Sequence, residues 1–548
     1  MSTREWSRGG ALMPSPSGHF RGSAHLATAA LLLALFAGPL LLPLAELTPD
    51  ALSAFADVGR LSALILHTLE LAGLTVALVL PPGLGLAVLL DRTDLPGRGL
   101  FRSVVGIGLF VPLPLFAVAW QAAAGGGWRP WTQGLLPAAA IHALAALPWV
   151  VWLVGLGLGR VEAALEEEAR TWAADWVVLW RVSLPRAGPA VGLAVVWVVL
   201  QAAGEIVVTD MALVRTFAEE VYTQFVTAGP DALGRAVAVS LPTTIAAVLV
   251  VGWLTRRWSH NLVVAASPRP PLTLCLRRWR WPAAALVGLV VGVYAGVPLV
   301  GLVRQAGGDD WSLHRLTIEL RRAADLQTGM ILDSLTWAAV AGLIAAGVAL
   351  LTSWVATRSR WSSALLFAVT IALWAVPGPV LGFGLKATIE RLMEIEDVLL
   401  AWTAARPVRG LLYEWSTPFP VLWAHVARLF PYAVAVVWPA VRDVPRDLRE
   451  AARADGATPW QEFRVAGWPA VRRAWATAVC VVAALAMGEL SASKLVQVPG
   501  RQTFVQELFN QMHYAATVTT ASLALVQLAL AMAAWAAIGA LVRTSSHR

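Results

Sequence analysis

Only two lysines occur in the 548 residues, Lys386 and Lys494. Lys386 stands between Leu385 and Ala387, and Lys494 between Ser493 and Leu495. Neither can serve a Gly-Lys-Ser/Thr phosphate loop, in which backbone N–H groups and a lysine hold nucleotide phosphates. The chain therefore carries no ATP-binding motif of its own, and no enzyme activity is expected of it. Two carboxylates invite a different chemistry. Glu205 and Glu489 each follow a glycine at the end of an apolar run. An ionisable group in such a place is expensive and marks a solute pathway. Facing one another, the two acids would suit a cationic or metal solute; the competing reading is that each caps or salt-bridges a neighbour. His67, Glu70, His142, Asp333, His425 and Arg428 also fall in apolar stretches. None has metal-ligand spacing, and Cys275 and Cys480 form no CxxC pair. No metal site, no cofactor and no catalytic residue is expected.

The elements that hold these residues are membrane spans. The chain is 58% hydrophobic and 14% charged, where a soluble domain carries about 25% charged residues. Apolar stretches near the roughly 20 residues that cross a bilayer as a helix recur along its length. Twelve spans are expected, near 25–47, 61–90, 101–124, 135–158, 190–208, 236–255, 282–303, 330–356, 363–388, 419–441, 475–493 and 516–542. The fold class is thus an all-α polytopic membrane protein. Most of the basic residues lie in the two tails and in loops 91–100, 159–189, 256–281, 357–362 and 442–474. The positive-inside rule then places both termini in the cytoplasm. The same topology accounts for the net charge of +8 better than a nucleic-acid partner does, and the first apolar run reads as a retained span rather than a cleaved signal.

The sequence also repeats. LHTLELA (66–72) resembles LDSLTWA (332–338), and LEEEARTWAADW (165–176) resembles LREAARADGATPW (448–460). GEI (204–206) resembles GEL (488–490), and RTFAEEVY (215–222) resembles QTFVQELF (502–509). Four collinear matches six spans apart imply two parallel repeats of about six spans each, unlike the inverted repeats of many secondary transporters. The implied layout is a tail at 1–24, a first domain at 25–257, a linker at 258–281 and a second domain at 282–543. The linker carries Arg256, Arg257, Arg269, Arg277, Arg278 and Arg280 at or near it, with Pro268, Pro270 and Pro271. Proline and charge suit a connector.

Between the tenth and eleventh spans stands EAARADGATPWQEFRVAGWP, Glu450 to Pro469. It resembles the EAA loop (here 444–474) of binding-protein-dependent ABC permeases of the MetI-like superfamily, through Glu450, Ala451, Ala452, Gly456 and Pro469. The matching loop at 161–189 keeps Glu167, Ala169 and Pro185. It departs from the pattern with Glu168 for alanine and Ala173 for glycine, and it is one residue shorter. Small alanines let a short helix seat closely in a cleft, glycine tolerates the positive φ that turns the chain, and proline fits the first turn of the next helix. The resemblance implies that both loops dock on cytoplasmic ATPase subunits, expected to be two. It also implies that a solute-binding protein docks on the outer side, and that the chain resides in the inner (cell) membrane, in contact with the lipid bilayer. VPGRQTFVQELF and the fused layout resemble two-domain iron(III) permeases; thiamine, phosphonate and polyamine relatives share the layout and the GE pair. An ion-coupled secondary transporter or a non-transporting scaffold is the alternative, and neither calls for two such loops.

Overall fold

The computed structural model describes residues 17–125, 133–227, 232–262, 272–308, 310–399, 406–414, 417–498, 500–513 and 517–543. Among the described residues all regular structure is helical, apart from one isolated bridge between Thr93 and Leu274. Nine of the described helices are long and apolar enough to cross a membrane. They are Ala24–Ala45, Val58–Asp91, Leu135–Leu158, Ala232–Leu254, Arg277–Ala306, Leu313–Ala356, Phe419–Arg442, Pro459–Ala486 and Thr517–Val542. Three bent pairs, counted as one span each, bring the number to as many as twelve, and every one overlaps a stretch where the hydropathy places a span.

Two of the bent pairs break the spans expected at 101–124 and 363–388. Arg98–Phe110 meets Leu113–Ala124 at 113°, and Arg360–Ala375 meets Gly378–Leu399 at 112°. Each break carries the same four-residue signature, Val111-Pro112-Leu113-Pro114 and Val376-Pro377-Gly378-Pro379. A proline forces the residue before it out of the helical region and offers no N–H to the preceding turn. Val111 (φ −84°, ψ 118°) and Val376 (φ −69°, ψ 127°) are accordingly extended.

The spans pack in the same pattern in the N-terminal and C-terminal halves. Val58–Asp91, Leu135–Leu158 and Gly188–Ala203 pack on one another, as do Leu313–Ala356, Phe419–Arg442 and the helix Trp468–Ala486. The first helix of each half crosses to the other half. The first span lies along Arg360–Ala375 and Gly378–Leu399, while Val297–Ala306 lies along Leu113–Ala124. Both crossings need a glycine. A Cβ on Gly38 would come within 2.6 Å of the Thr388 side chain, and one on Gly301 within 2.5 Å of the Ala123 backbone. At one crossing the start of the first span is also tied across, His25 Nδ1 lying 2.8 Å from Ser362 Oγ.

Two of the repeated sequence segments meet through the same bond in each half. Thr68 Oγ1 accepts from the Phe217 N–H, and Ser334 Oγ accepts from the Phe504 N–H, both at 2.9 Å. Further differences from the expected map are local. The helix expected to begin near 330 starts at Leu313 and runs 44 residues. Residues 17–24 of the expected tail are helical and continue into the first span, and 1–16 lie outside the described residues. Of the expected linker, 258–262 extends the sixth span's helix. Residues 263–271, with Pro268, Arg269, Pro270 and Pro271, lie outside the described residues.

Candidate translocation cavity and coupling loops

The fifth and eleventh spans stop short of the acids they were expected to contain. Their helices end at Ala203 and Ala486. Glu205 and Glu489 fall in the turns that follow, because a free carboxylate there meets unpaired N–H groups of a new helix start. Glu205 accepts from Val207 N (2.7 Å) and Val208 N (2.9 Å) at the start of the helix Val207–Met211. Glu489 accepts from Ala492 N (2.8 Å), Ser493 N (3.1 Å) and Ser491 Oγ (2.8 Å) at the start of Ser493–Val496. Buried histidines stand behind both, His142 Nε2 3.8 Å from Glu205 and His425 Nε2 3.9 Å from Glu489. The two Glu turns are therefore duplicated in detail.

Both turns line one cavity of about 820 Å³, together with the proline breaks of the third and ninth spans. The N-terminal half contributes Leu113, Pro114, Glu205, Asp210, Glu219 and Tyr222. The C-terminal half contributes Pro377, Arg428, Glu489, Lys494 and Phe509. Trp149 stacks on Trp197 (4.5 Å) and meets Tyr432 of the tenth span at 5.6 Å, so the fourth and tenth spans touch directly. Sequence reasoning missed the proline breaks as wall elements. Their signal was legible, since Val-Pro-x-Pro occurs once in each half at corresponding places. Of the remaining candidates, Arg428 Nη1 donates to Val376 O at 2.9 Å, anchoring the guanidinium at a break. Asp333 pairs with Arg501 at 2.8 Å, and His67 and Glu70 are exposed on the second span. Among the described residues no three His, Cys, Asp or Glu side chains are grouped to hold a metal ion.

The loop after the tenth span forms a helix Arg446–Ala454, a turn, and a second helix Pro459–Glu462 that runs on through a π-helical turn at Phe463–Gly467 into Trp468–Ala486. Gly456 has φ +81°, and Ala457 N bonds back to Ala452 O at 3.0 Å, closing the first helix in the manner glycine allows. Thr458 then opens the second helix with a reciprocal capping box to Gln461. Glu450, Ala451 and Gly456 are exposed, Ala452 is half-buried, and Pro469 occupies the first turn of its helix. Beneath them the buried Glu462 gathers three arginines, Arg358 (3.0 Å), Arg449 (3.1 Å) and Arg453 (3.1 Å). The hydrogen bond to Glu462 holds the Arg453 pKa above its ordinary value.

The loop after the fourth span has the same plan and different joints. Ala163–Arg170 is followed by Asp175–Val178, a π-helical turn at Leu179–Ser183 and the short helix Leu184–Arg186. Ala173 is not in the positive-φ region, and Ala174 offers no side-chain cap. Glu167 is exposed and Ala169 half-buried. Pro185 does not open the next span as expected. It stands in Leu184–Arg186, and the span proper begins at Gly188 after a bend of 61°. The buried acid here is Glu166, which accepts from both terminal guanidinium nitrogens of Arg92, Nη1 and Nη2, and from Ser183 Oγ (2.6 Å). A strap from the end of the linker completes this cluster. Leu272 N donates to Glu166, Leu272 O accepts from Arg92, and Leu274 N donates to Arg92 O at 2.7 Å.

These features define a helical protein of many membrane spans, with a cavity lined by both of its halves and paired helix–turn–helix loops. Residues 330–545 match the family described as binding-protein-dependent transport system inner membrane component. The molybdenum transport system permease protein ModB of Escherichia coli K12 is 27% identical over 214 residues, covering 35% of this chain and 92% of that protein. The sulfate transport system permease protein CysW of Synechocystis sp. is 31% identical over 233 residues, covering 39% of this chain and 83% of that protein. The chain belongs to this family of ABC transporter permeases.

Proposed function

We propose that this chain is the whole membrane-spanning core of an ABC importer. Its halves act as two copies of one permease unit (25–257 and 282–543), both termini lie in the cytoplasm, and the two loops each receive an ATPase subunit. The observation that carries this reading is the cavity, whose two walls are built from matching parts: a proline break, a Glu-capped turn and the helix after it. A homodimeric permease would build such walls from two chains; here one chain supplies both. Glu167, Ala169, Ala173 and Pro185 on one loop, and Glu450, Ala451, Ala452, Gly456 and Pro469 on the other, form the coupling elements. Exposed aromatic side chains, Trp172 (89% exposed), Trp176 and Trp180 on the first and Trp460 on the second, fit burial in a protein cleft, since large exposed apolar groups mark contact surfaces. ATP-driven closure of the ATPases would tilt the loops and reshape the cavity around Glu205 and Glu489. A solute-binding protein delivers the solute from the opposite side.

Affinity purification of the tagged chain with its ATPase, followed by native mass measurement, tests this. One permease chain with two ATPase subunits is expected. Two permease chains in the complex would overturn the single-chain pathway. The iron(III) reading rests on the resemblance of VPGRQTFVQELF and of the fused layout, while the carboxylates of Glu205 and Glu489 are engaged on backbone N–H groups. Cellular iron uptake is therefore expected to survive Glu205→Gln with Glu489→Gln wherever the folded chain accumulates.

A further inference from the structure

The cavity wall is duplicated in shape and opposed in charge. Thr209 Oγ1 lies 3.3 Å from the carbonyl of Glu205, and Ser493 Oγ donates to the carbonyl of Glu489 at 3.0 Å, each four residues back. These bonds set the register of the two turns without ambiguity. The next residue is Asp210 in one turn and Lys494 in the other, and both line the cavity. A second register mark gives the same result. Three residues after His142 stands Ala145, and three residues after His425 stands Arg428, which lines the cavity. Glu205 and Glu489 are held as helix caps by the N–H groups already described. Apart from those caps, the charged side chains among the described residues that line the cavity are Asp210 and Glu219 on the N-terminal wall and Arg428 and Lys494 on the C-terminal wall.

We infer that the cavity takes a small zwitterion, its ammonium end toward Asp210 and Glu219 and its oxyanion end toward Arg428 and Lys494. This rests on the reading of the cavity as the solute pathway. The physical reason is pole matching. A simple cation would be attracted by one wall and repelled by the other, and a simple anion likewise, so each loses at one wall what it gains at the opposite one. A solute with separated charges gains at both, and in a site partly withdrawn from water those gains are amplified. The anionic end would meet a guanidinium fixed by Val376 O and an ammonium seated 4.4 Å from the Phe509 ring centroid. Fixed donors of this kind recognise carboxylate, phosphonate or phosphate heads. A volume of about 820 Å³ is in the range of small-molecule sites.

The test uses the full chain in lipid nanodiscs and follows its thermal unfolding with three probes at equal millimolar concentration. These are 2-aminoethylphosphonate, which carries both charges, and its monopolar halves, ethylamine and methylphosphonate. The bipolar probe is expected to stabilise the chain, and an equimolar mixture of the halves is not. Lys494→Asp is expected to weaken binding of the bipolar probe at least tenfold. The double exchange Asp210→Lys with Lys494→Asp, which reverses the poles, is expected to restore it. Equal stabilisation by methylphosphonate or molybdate would overturn the proposal in favour of a simple anion site. Equal stabilisation by ethylamine would overturn it in favour of a cation site, and no stabilisation by any probe would also overturn it. Failure of the underlying pathway reading has its own signature. In the ATPase complex, with Cys275 and Cys480 replaced, Leu200→Cys on the cavity wall would show unchanged thiol reactivity on trapping with ATP and vanadate.

Discussion

The two helix–turn–helix loops share a plan and differ in stiffness. In the second, the exit helix continues into its span as Pro459–Ala486 without a sharp bend; in the first, it meets its span at 61°. The cause is local. Gly188 and Pro189 follow Pro185 at the first joint, so the helix loses a backbone donor where it must continue. The corresponding places after Pro469 hold Arg472 and Arg473, which keep theirs. Beneath the first loop lie the Arg92–Glu166 pair and the linker strap, where the second has the Glu462 cluster. In the coupling role proposed for both loops, a rigid lever and a strapped, jointed one would transmit the same displacement differently.

The largest expected contrast is between the buried acids. Glu166 and Arg92 are both buried, with 0% and 2% of their side chains exposed. Glu166→Ala leaves Arg92 charged and unpaired, which costs about 3–5 kcal/mol. The three arginines around Glu462 have more access to water. Glu462→Ala should therefore cost less, about 1–3 kcal/mol. Thermal unfolding of the two purified variants compares them, and an equal or reversed order would remove the distinction between a sealed and a hydrated cluster.

The strap comes next. Leu274→Pro deletes the N–H that bonds to Arg92 O. It should lower transport per ATP hydrolysed severalfold while leaving the amount of folded chain within about one third of normal. Unchanged coupling would reduce the strap to a passive end of the linker.

Turn chemistry gives a smaller effect. Gly456→Ala meets no neighbour within 4 Å, yet it must hold a left-handed φ at about 1–2 kcal/mol. It should reduce transport more than Ala173→Trp does at the exposed, differently turned first loop. Equal losses would mean the glycine joint carries no special load. The smallest contrast concerns the caps. Thr458→Ala should destabilise the second loop by about 1 kcal/mol, whereas Ala174→Ser should stabilise the first by up to the same amount. Hydrogen exchange of the amides at 459–462 and 175–178 reads both.

Apolar run length alone placed the nine spanning helices and the three bent pairs, because crossing a bilayer core demands a helix of known length. The four repeated segments placed the two Glu turns and the two loops in matching order, and the neighbours of the two lysines do not fit a nucleotide-binding loop. Side-chain partners were beyond that reach. Only the helix ends at Ala203 and Ala486 reveal that Glu205 and Glu489, which line the cavity, also cap the turns that follow. The swapped charge logic under the loops was equally hidden. Arg449 stands where the first loop has Glu166, and the acid reappears at Glu462, on the other helix of its loop. Periodicity and spacing determine which stretches must be helical and where they must turn. Which carboxylate meets which guanidinium, and which wall of a cavity is acidic, depends on helices far apart in sequence. Only their packing brings His142 to Glu205, Arg92 to the strap, and Asp210 and Lys494 to one cavity.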